Sequence, residues 1–423
     1  MSHDTFEIEG LNGESTLEGT IAVSGAKNAA LPVMAASLMV PGETHLQNVP
    51  DIRDIDSMAR LLEKLGAFVT RKDHTLSIGA KEVTGSVLDS ELSKSMRASI
   101  LLAGPILARF GQVTFPHPGG CVLGSRPIDV FLSAFRTLEA EYSENDETYS
   151  ISAPNGLSGG EIFFRVVSVT ATETLMMAAT LAKAPVTLRN SAMEPEVVAT
   201  AEFLKACGAS IEGAGTPTIF IRPSHLTPQD QPFAIIPDRI EASSFLILGA
   251  LAGKKITLTG VNVEHVFATI EALSEMGVGL EIHKDFIVVS APKKLLPINV
   301  KTHEYPGLAT DVQAPMTILL TQAEGESTVL ETIFDGRLNY VSELVRMGAE
   351  IQLWNPHKAT VRGRTPLKAR DIDGPDIRAG LAFILAAVSA EGTSHIGNAH
   401  LIDRGYEKIE EKLSGVGLLI KRK

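Results

Sequence analysis

Two kinds of hydrophobic pattern alternate along this chain. One is apolar nearly all round, in "NAALPVMAASLMV", "MRASILLAGPILARFG", "TATETLMMAATLA", "EASSFLILGALAG", "VQAPMTILLTQAEG" and "IRAGLAFILAAVSAEG". A helix with no polar face is a buried one. The other keeps a polar face, as in "IDSMARLLEKLG", and ends near a recurring position occupied by Gly66, Glu139, Gly208, Gly277, Gly348 and Gly415. Glycine suits a helix C-cap, and the alternation that follows, as in "AFVTRKDHTLSI", predicts a β-hairpin. Short strands such as "ETHLQNV", "APVTLRN" and "KKITLTG" come between the buried and the amphipathic helix. The period is about 70 residues, so the chain reads as six copies of strand, buried helix, strand, amphipathic helix and hairpin.

Three such units wrap their sheets around three central helices, and six make two domains. The fold class is therefore α/β (α+β), with sheets surrounding buried helices in two similar halves. The last copy stops short at "LLIKRK", and "TFEIEG" precedes the first complete copy. The N-terminal strand is thus expected to complete the C-terminal domain. The chain then crosses twice, near Ser24 and near Phe233, giving one domain over 24–233 and a second from 1–23 plus 234–423.

Polar chemistry gathers at the starts of the buried helices: Lys27 and Asn28, then Arg97, Ser168, Asp238 with Arg239 and Glu241, Asp311, and Asp376 with Arg378. Helix N-termini offer free N–H donors and a positive partial charge, which suits phosphate or carboxylate. Six equivalent ends carrying such groups suggest two domain faces meeting across a cleft. For Asp238, Asp376 and Ser168, N-capping alone explains the residue type. Asp311 fits either a cap or a catalytic carboxylate. A cation in a first helical turn opposes the dipole, so Lys27, Arg97 and Arg378 look placed for a ligand or an ion pair. "SGAKNAA" lacks the Walker spacing, which disfavours a P-loop nucleotide triphosphatase. Arg337 and Arg404 fall in turns.

Composition removes whole classes. A net charge of −12 over 423 residues argues against nucleic acid or an anionic membrane as the main partner. No secretory signal and no uninterrupted membrane-spanning run is seen, which points to the cytoplasm. With only Cys121 and Cys207 there is neither a disulfide framework nor a cysteine zinc pattern. Cys207, inside "FLKACGAS", reads as a small buried hydrophobe. Cys121 follows two glycines in "HPGGCVLGSRPID", and nearby Arg126 is suited to lowering its thiol pKa; the composition leaves a buried and a reactive role equally open.

"SGAKNAALP", "MRAS", "PGGCVLGSRPID", "PDRIEA", "TDVQA", "FDGRL" and "IDRGYEKIE", colinear over the full chain, closely resemble the enolpyruvyl transferases. The resemblance implies two domains of three repeats each, with an active site between them and a mobile loop carrying the cysteine. It implies transfer of the enolpyruvyl group of phosphoenolpyruvate to the 3-hydroxyl of UDP-N-acetylglucosamine, the opening step of peptidoglycan synthesis. By resemblance Cys121 is the general acid and Asp311 takes the hydroxyl proton. Lys27, Arg126 and Arg404 match the phosphate site, while Arg337 and Arg378 hold the carboxylate or close the domains. Asn28, Arg97, Pro127, Ile128, Asp129, Ser168, Val169, Asp238, Glu241, Ile333 and Asp376 match substrate-binding positions, and Arg53 stands where the family often has lysine. No cofactor and no metal is implied. The partners are the two small-molecule substrates, with no nucleic acid, no membrane and no obligate protein partner.

The chain departs from the family in the half expected to bind the acceptor. "VVSVT" places Val166 where a phosphate-facing lysine is usual and Thr170 where glycine is usual; Phe131 replaces a histidine, and "TLEAEY" replaces leucine-glycine-alanine. Losing a cation near a diphosphate removes a charge-assisted contact. Three readings follow: a transferase acting on the UDP-sugar, a paralogue with another hydroxyl acceptor, and a non-catalytic relative that only binds ligand. Lys27, Cys121, Asp311 and Arg404 together argue against the third.

Overall fold

The computed structural model describes residues 4–117 and 128–423. Its described residues fall into two compact units, one running from Gly25 to Ile236, the other combining the chain up to Ser24 with Pro237–Lys423. In the first unit the buried elements are the helix Lys27–Ser37, a 3-10 turn Arg97–Leu102 continued by the helix Ala103–Phe110, and the helix Val169–Ala179. They pack against one another, as do Arg239–Ala252, Thr310–Thr321 and Ile377–Ser389 in the second unit. Ala, Leu, Ile, Val and Met dominate all six and are buried almost completely, so each unit has a helical centre and its own apolar core.

Among the described residues six sheets surround these centres, five of four strands and one of three. The α/β layout of sheets about buried helices is therefore present. The three-stranded sheet belongs to the second repeat, whose first strand is reduced to a single bridge between Val87 and Thr114. No helix among the described residues is long and apolar enough to cross a membrane.

Three repeats are not contiguous in sequence. The strand Leu17–Ala22 leads into the helix Lys27–Ser37, yet it pairs in parallel with Gly253–Thr259 of the fourth repeat. Conversely, Phe233–Ala234 leads into the helix Arg239–Ala252 but pairs with Leu46 and Gln47 of the first repeat's sheet. Each strand thus serves the unit that the chain is leaving. The second passage accordingly falls after Ile236 rather than near Phe233, and the first after Ser24. At the other end, Thr5–Glu9 inserts antiparallel between Thr393–Gly397 and Ile420–Arg422, so the N-terminal strand does complete the sixth sheet.

All six amphipathic helices stop in the same way. The amide just beyond the cap donates to the carbonyl five residues back: Ala67 to Leu62, Ala140 to Phe135, Ala209 to Leu204, Val278 to Leu273, Ala349 to Leu344 and Leu418 to Leu413. This is the Schellman pattern, which needs a left-handed residue before the donating amide. The sixth such residue is Gly417, at φ +98°, and not Gly415, which is right-handed at φ −60°. In the second repeat the position is filled by Glu139 at φ +63°, a conformation in which a β-carbon is strained.

Glu139→Gly is expected to raise stability by about 1 kcal/mol, and Gly277→Ala to lower it by about 1 kcal/mol. At Gly277 an added β-carbon would have its nearest neighbour 3.9 Å away, so the cost there is conformational rather than a clash. Urea unfolding of both variants checks the pair; a neutral or destabilising Glu139→Gly contradicts the strain assigned to that turn.

Candidate active site

In the unit that contains Pro237–Lys423, a charged cluster is assembled from two buried-helix starts and one loop. Asp311 is the second residue of the helix Thr310–Thr321, whose cap residue Ala309 makes no side-chain cap. Asp311 does not act as a cap. Its Oδ1 accepts from Arg337 Nη2 at 2.5 Å and its Oδ2 from Arg378 Nε at 3.0 Å. The two arginine side chains are 4% and 8% exposed, whereas that of Asp311 is 24% exposed. Buried guanidinium groups need paired, hydrogen-bonded partners, and taking one partner away costs about 3–5 kcal/mol. Asp311 therefore serves both arginines at once while keeping part of its side chain accessible.

Both arginines are held from behind by hydroxyl groups. Arg378 Nη1 donates to the Tyr406 hydroxyl at 2.9 Å. Burial pushes the Tyr406 phenol up, keeping it neutral despite the neighbouring Arg378. Ser244 spends its own proton on the Ile240 carbonyl, so the Tyr406 proton goes to Ser244. On the other side, Arg337 Nε donates to Thr310 Oγ1 at 3.1 Å, and the Thr310 hydroxyl donates to the Glu331 carboxylate. Ile333, expected as a substrate contact, gives its amide to Glu331 at 2.8 Å.

The other expected residues of this unit divide by role. Asp238 caps its helix by accepting from the Ile240 and Glu241 amides, and Asp376 accepts from those of Arg378 and Ala379. Glu241 is almost wholly buried. Its carboxylate is taken up by Lys412 at 2.6 Å and the Ser24 amide at 2.6 Å, although burial pushes that carboxyl up. It ties down the segment where the chain leaves the unit. Arg404 is half-buried in the turn after Ala399–Ile402.

In the unit from Gly25 to Ile236, Lys27 opens a helix with no side-chain cap and no acidic residue in its first turn. Its ammonium lies 2.6 Å from the carboxylate of Asp54, and both side chains are buried. The ion pair offsets the unfavourable helix dipole, which answers why a lysine is tolerated there. Asn28 beside it is half-buried, as is Arg97 at the start of the 3-10 turn. Arg53 opens the helix Arg53–Lys64 on an exposed position. Ser168 caps the helix that begins at Val169, accepting from the Ala171 amide. Ile128 is buried ahead of the exposed Asp129, which supplies the acid of that helix's first turn. Cys121, Arg126 and Pro127 lie outside the described residues.

The departures also have structural consequences. Phe131 packs into the apolar core of its unit. Val166 is 64% exposed in the segment between the strand Gly160–Phe163 and the Ser168 cap, with Arg165 exposed beside it. Cys207 is buried, and desolvation raises its thiol pKa to about 11, so it is the inert cysteine expected.

Four groups were not found from sequence: Glu331, Tyr406, Asp54 and Glu173. Glu173 is the one charged residue within the buried helix Val169–Ala179, and that mismatch is the available signal. It is buried with Oε1 lacking a hydrogen-bond partner among the described residues, and burial together with Glu196 and Glu194 pushes its pKa well above the usual range.

The fold and these residue sets define a class. The chain belongs to the family of enolpyruvyl (carboxyvinyl) transferases: the family profile described as EPSP synthase (3-phosphoshikimate 1-carboxyvinyltransferase) matches residues 11–413. Curated relatives include the UDP-N-acetylglucosamine 1-carboxyvinyltransferase of Trichlorobacter lovleyi, 42% identical over 413 residues, covering 97% of this chain and 98% of that one. The protein of the same name from Campylobacter jejuni strain RM1221 is 42% identical over 418 residues, with 99% of each chain covered. Among solved structures, the enolpyruvyl transferase NikO from Streptomyces tendae superposes with a TM-score of 0.88 at 22% identity, covering 99% of both chains. EPSP synthase from Acinetobacter baumannii gives 0.75 at 18%, over 99% of this chain and 100% of that one. These two structures establish likeness of fold.

Glu173 yields a pH prediction. A carboxyl whose folded pKa is raised contributes full stability below its unfolded pKa, near 4.5 here, and loses it as pH rises through the folded value. Glu173→Gln keeps the neutral shape without the proton equilibrium. Its melting temperature, relative to the parent protein, is expected to gain as pH rises above the ordinary carboxylate range. A difference independent of pH contradicts a neutral buried acid.

Proposed function

We propose that this chain transfers the enolpyruvyl group of phosphoenolpyruvate to the 3-hydroxyl of UDP-N-acetylglucosamine, releasing inorganic phosphate. This is the first committed step of peptidoglycan synthesis, carried out in the cytoplasm on two small-molecule substrates. The observation that carries the reading is Asp311: a carboxylate fixed by two buried arginines yet still accessible, in a chain of this family.

The chemistry assigns each group a task. The acceptor oxygen bonds to C2 of phosphoenolpyruvate while C3 gains a proton, giving a tetrahedral intermediate with a methyl group. Loss of a proton from that methyl and departure of phosphate with the C2–O electron pair restore the double bond. The hydroxyl proton is balanced by the proton that phosphate carries away. Asp311 accepts or orients the hydroxyl proton, and Cys121 protonates C3. Lys27, Arg126 and Arg404 balance the phosphate charge, while Arg337 and Arg378 hold Asp311 and the carboxylate end. Amides at the uncapped start of the Lys27 helix are further donors for an anion. Asn28, Arg53, Arg97, Ser168, Val169 and Ile333 are assigned to the acceptor, with Asp238 and Asp376 supporting them as caps.

A different hydroxylated acceptor is the second reading, and the exposed Val166 is what favours it. Arg165 next to it is the cation available to replace the lost charge.

Phosphate release from phosphoenolpyruvate, measured with UDP-N-acetylglucosamine against a panel of other hydroxyl compounds, separates the two. Turnover is expected with the UDP-sugar, and Cys121→Ala is expected to lose it by 100-fold or more, on the order of general-acid contributions, while still binding substrate. Turnover only with another acceptor overturns the substrate assignment, and an undiminished Cys121→Ala overturns the general acid.

A further inference from the structure

We propose that Glu331 is a positioning residue for Asp311, acting through Thr310 and Arg337. The inference rests on the functional reading of Asp311 given above. Glu331 follows the strand Gly325–Leu330 and is buried to within 1% of its surface. One carboxylate oxygen accepts the amides of Ile333 and Phe334, at 2.8 and 3.1 Å, which pins the loop that leads to Arg337. Both oxygens lie 3.0 Å from the Thr310 hydroxyl.

The direction of these bonds follows from counting protons. A carboxylate only accepts, so the single Thr310 proton goes to Glu331. The Thr310 oxygen is then left as an acceptor, and it meets the Nε–H of Arg337. With Nε fixed, the planar guanidinium presents Nη2 to Asp311 Oδ1. Glu331 and Asp311 set two negative charges beside Arg337 and Arg378, and the buried Asp238 is a further negative charge acting on Arg378. Without Glu331 the cluster would lose one of these negative charges and the Thr310 hydroxyl its fixed direction, leaving Asp311 to bear more of the attraction of Arg337. Asp311 could then lend a lone pair to the acceptor hydroxyl only at greater cost.

The other arm repeats the device with different residues. Arg378 donates to the Tyr406 oxygen, the Tyr406 hydroxyl donates to the Ser244 oxygen, and the Ser244 hydroxyl donates its own proton to the Ile240 carbonyl. Both oxygens of Asp311 are thus aimed by a guanidinium whose other face is locked by a hydroxyl of fixed polarity.

The test uses Thr310→Val, which keeps the shape and deletes the relay, with Thr310→Ser as the conservative rescue. In the parent protein kcat is expected to exceed that of Thr310→Val by tenfold or more with KM for phosphoenolpyruvate within about threefold, and Thr310→Ser is expected to recover most of the loss. Glu331→Gln should show a smaller fall in the same parameter. A second readout is independent of turnover: the Arg337 Nε–H resonance, assigned by loss in Arg337→Lys, should exchange slowly in the parent and in Thr310→Ser and rapidly in Thr310→Val. An unchanged kcat in Thr310→Val overturns the proposal whatever the resonance does, as does an unperturbed resonance. If the parent turns over no acceptor, the functional reading fails and the resonance alone decides the relay. Should Thr310→Val fail to fold, Glu331→Gln is read by the same kcat and KM split, and an unchanged kcat there overturns the proposal.

Discussion

The carboxylate of Asp311 faces Arg337 and Arg378, and neither of those buried cations has bulk water to screen it. Three groups that each would be costly to bury alone become stable together, provided their geometry is held. That proviso organises the surroundings. Thr310 and Glu331 fix one guanidinium, Tyr406 and Ser244 fix the other, and the Asp376 cap fixes the helix start from which Arg378 projects. The accessible edge of Asp311 is what remains for chemistry.

The repeat architecture explains how such a set is gathered. Buried helices packed side by side place their N-termini together, and any residue near those ends faces its equivalents on the neighbouring helices. Thr310 and Asp311 begin one helix, Asp376 and Arg378 begin the next, and Asp238 caps the third. The other unit uses the same positions for Lys27, Arg97 and Ser168. Repetition of one packing solution thus supplies several sites per unit, and at three of the six starts, Ser168, Asp238 and Asp376, the polar side chain caps its helix. Substitution at a few of them introduces chemistry.

Much of this was legible in the chain. All-round apolar helices and recurring glycines disclosed six repeats because those signals are local. Where structure and sequence pattern differ, the causes are local too. "SGVG" offers two glycines two residues apart, and only the Leu418 amide bond to Leu413 identifies Gly417 as the turn. Phe233–Ala234 is too short to show an alternation, so the passage between units was set early. Glu331 and Tyr406 were invisible because their partners are 21 and 28 residues away, a distance no helical or strand period covers. Lys27 was singled out correctly as needing a partner, yet nothing in its neighbourhood indicated Asp54. The resemblance supplied the substrates, which no periodicity carries.

The addition–elimination route makes one demand on the atoms that no other feature of the protein shares. C3 of phosphoenolpyruvate must become a methyl group by taking a solvent-derived proton, then give up one of its three hydrogens. Mass spectrometry of the UDP-sugar product formed in heavy water reads this directly. An enolpyruvyl product with deuterium in its terminal methylene is expected. Product formed at full yield with no deuterium there would contradict it.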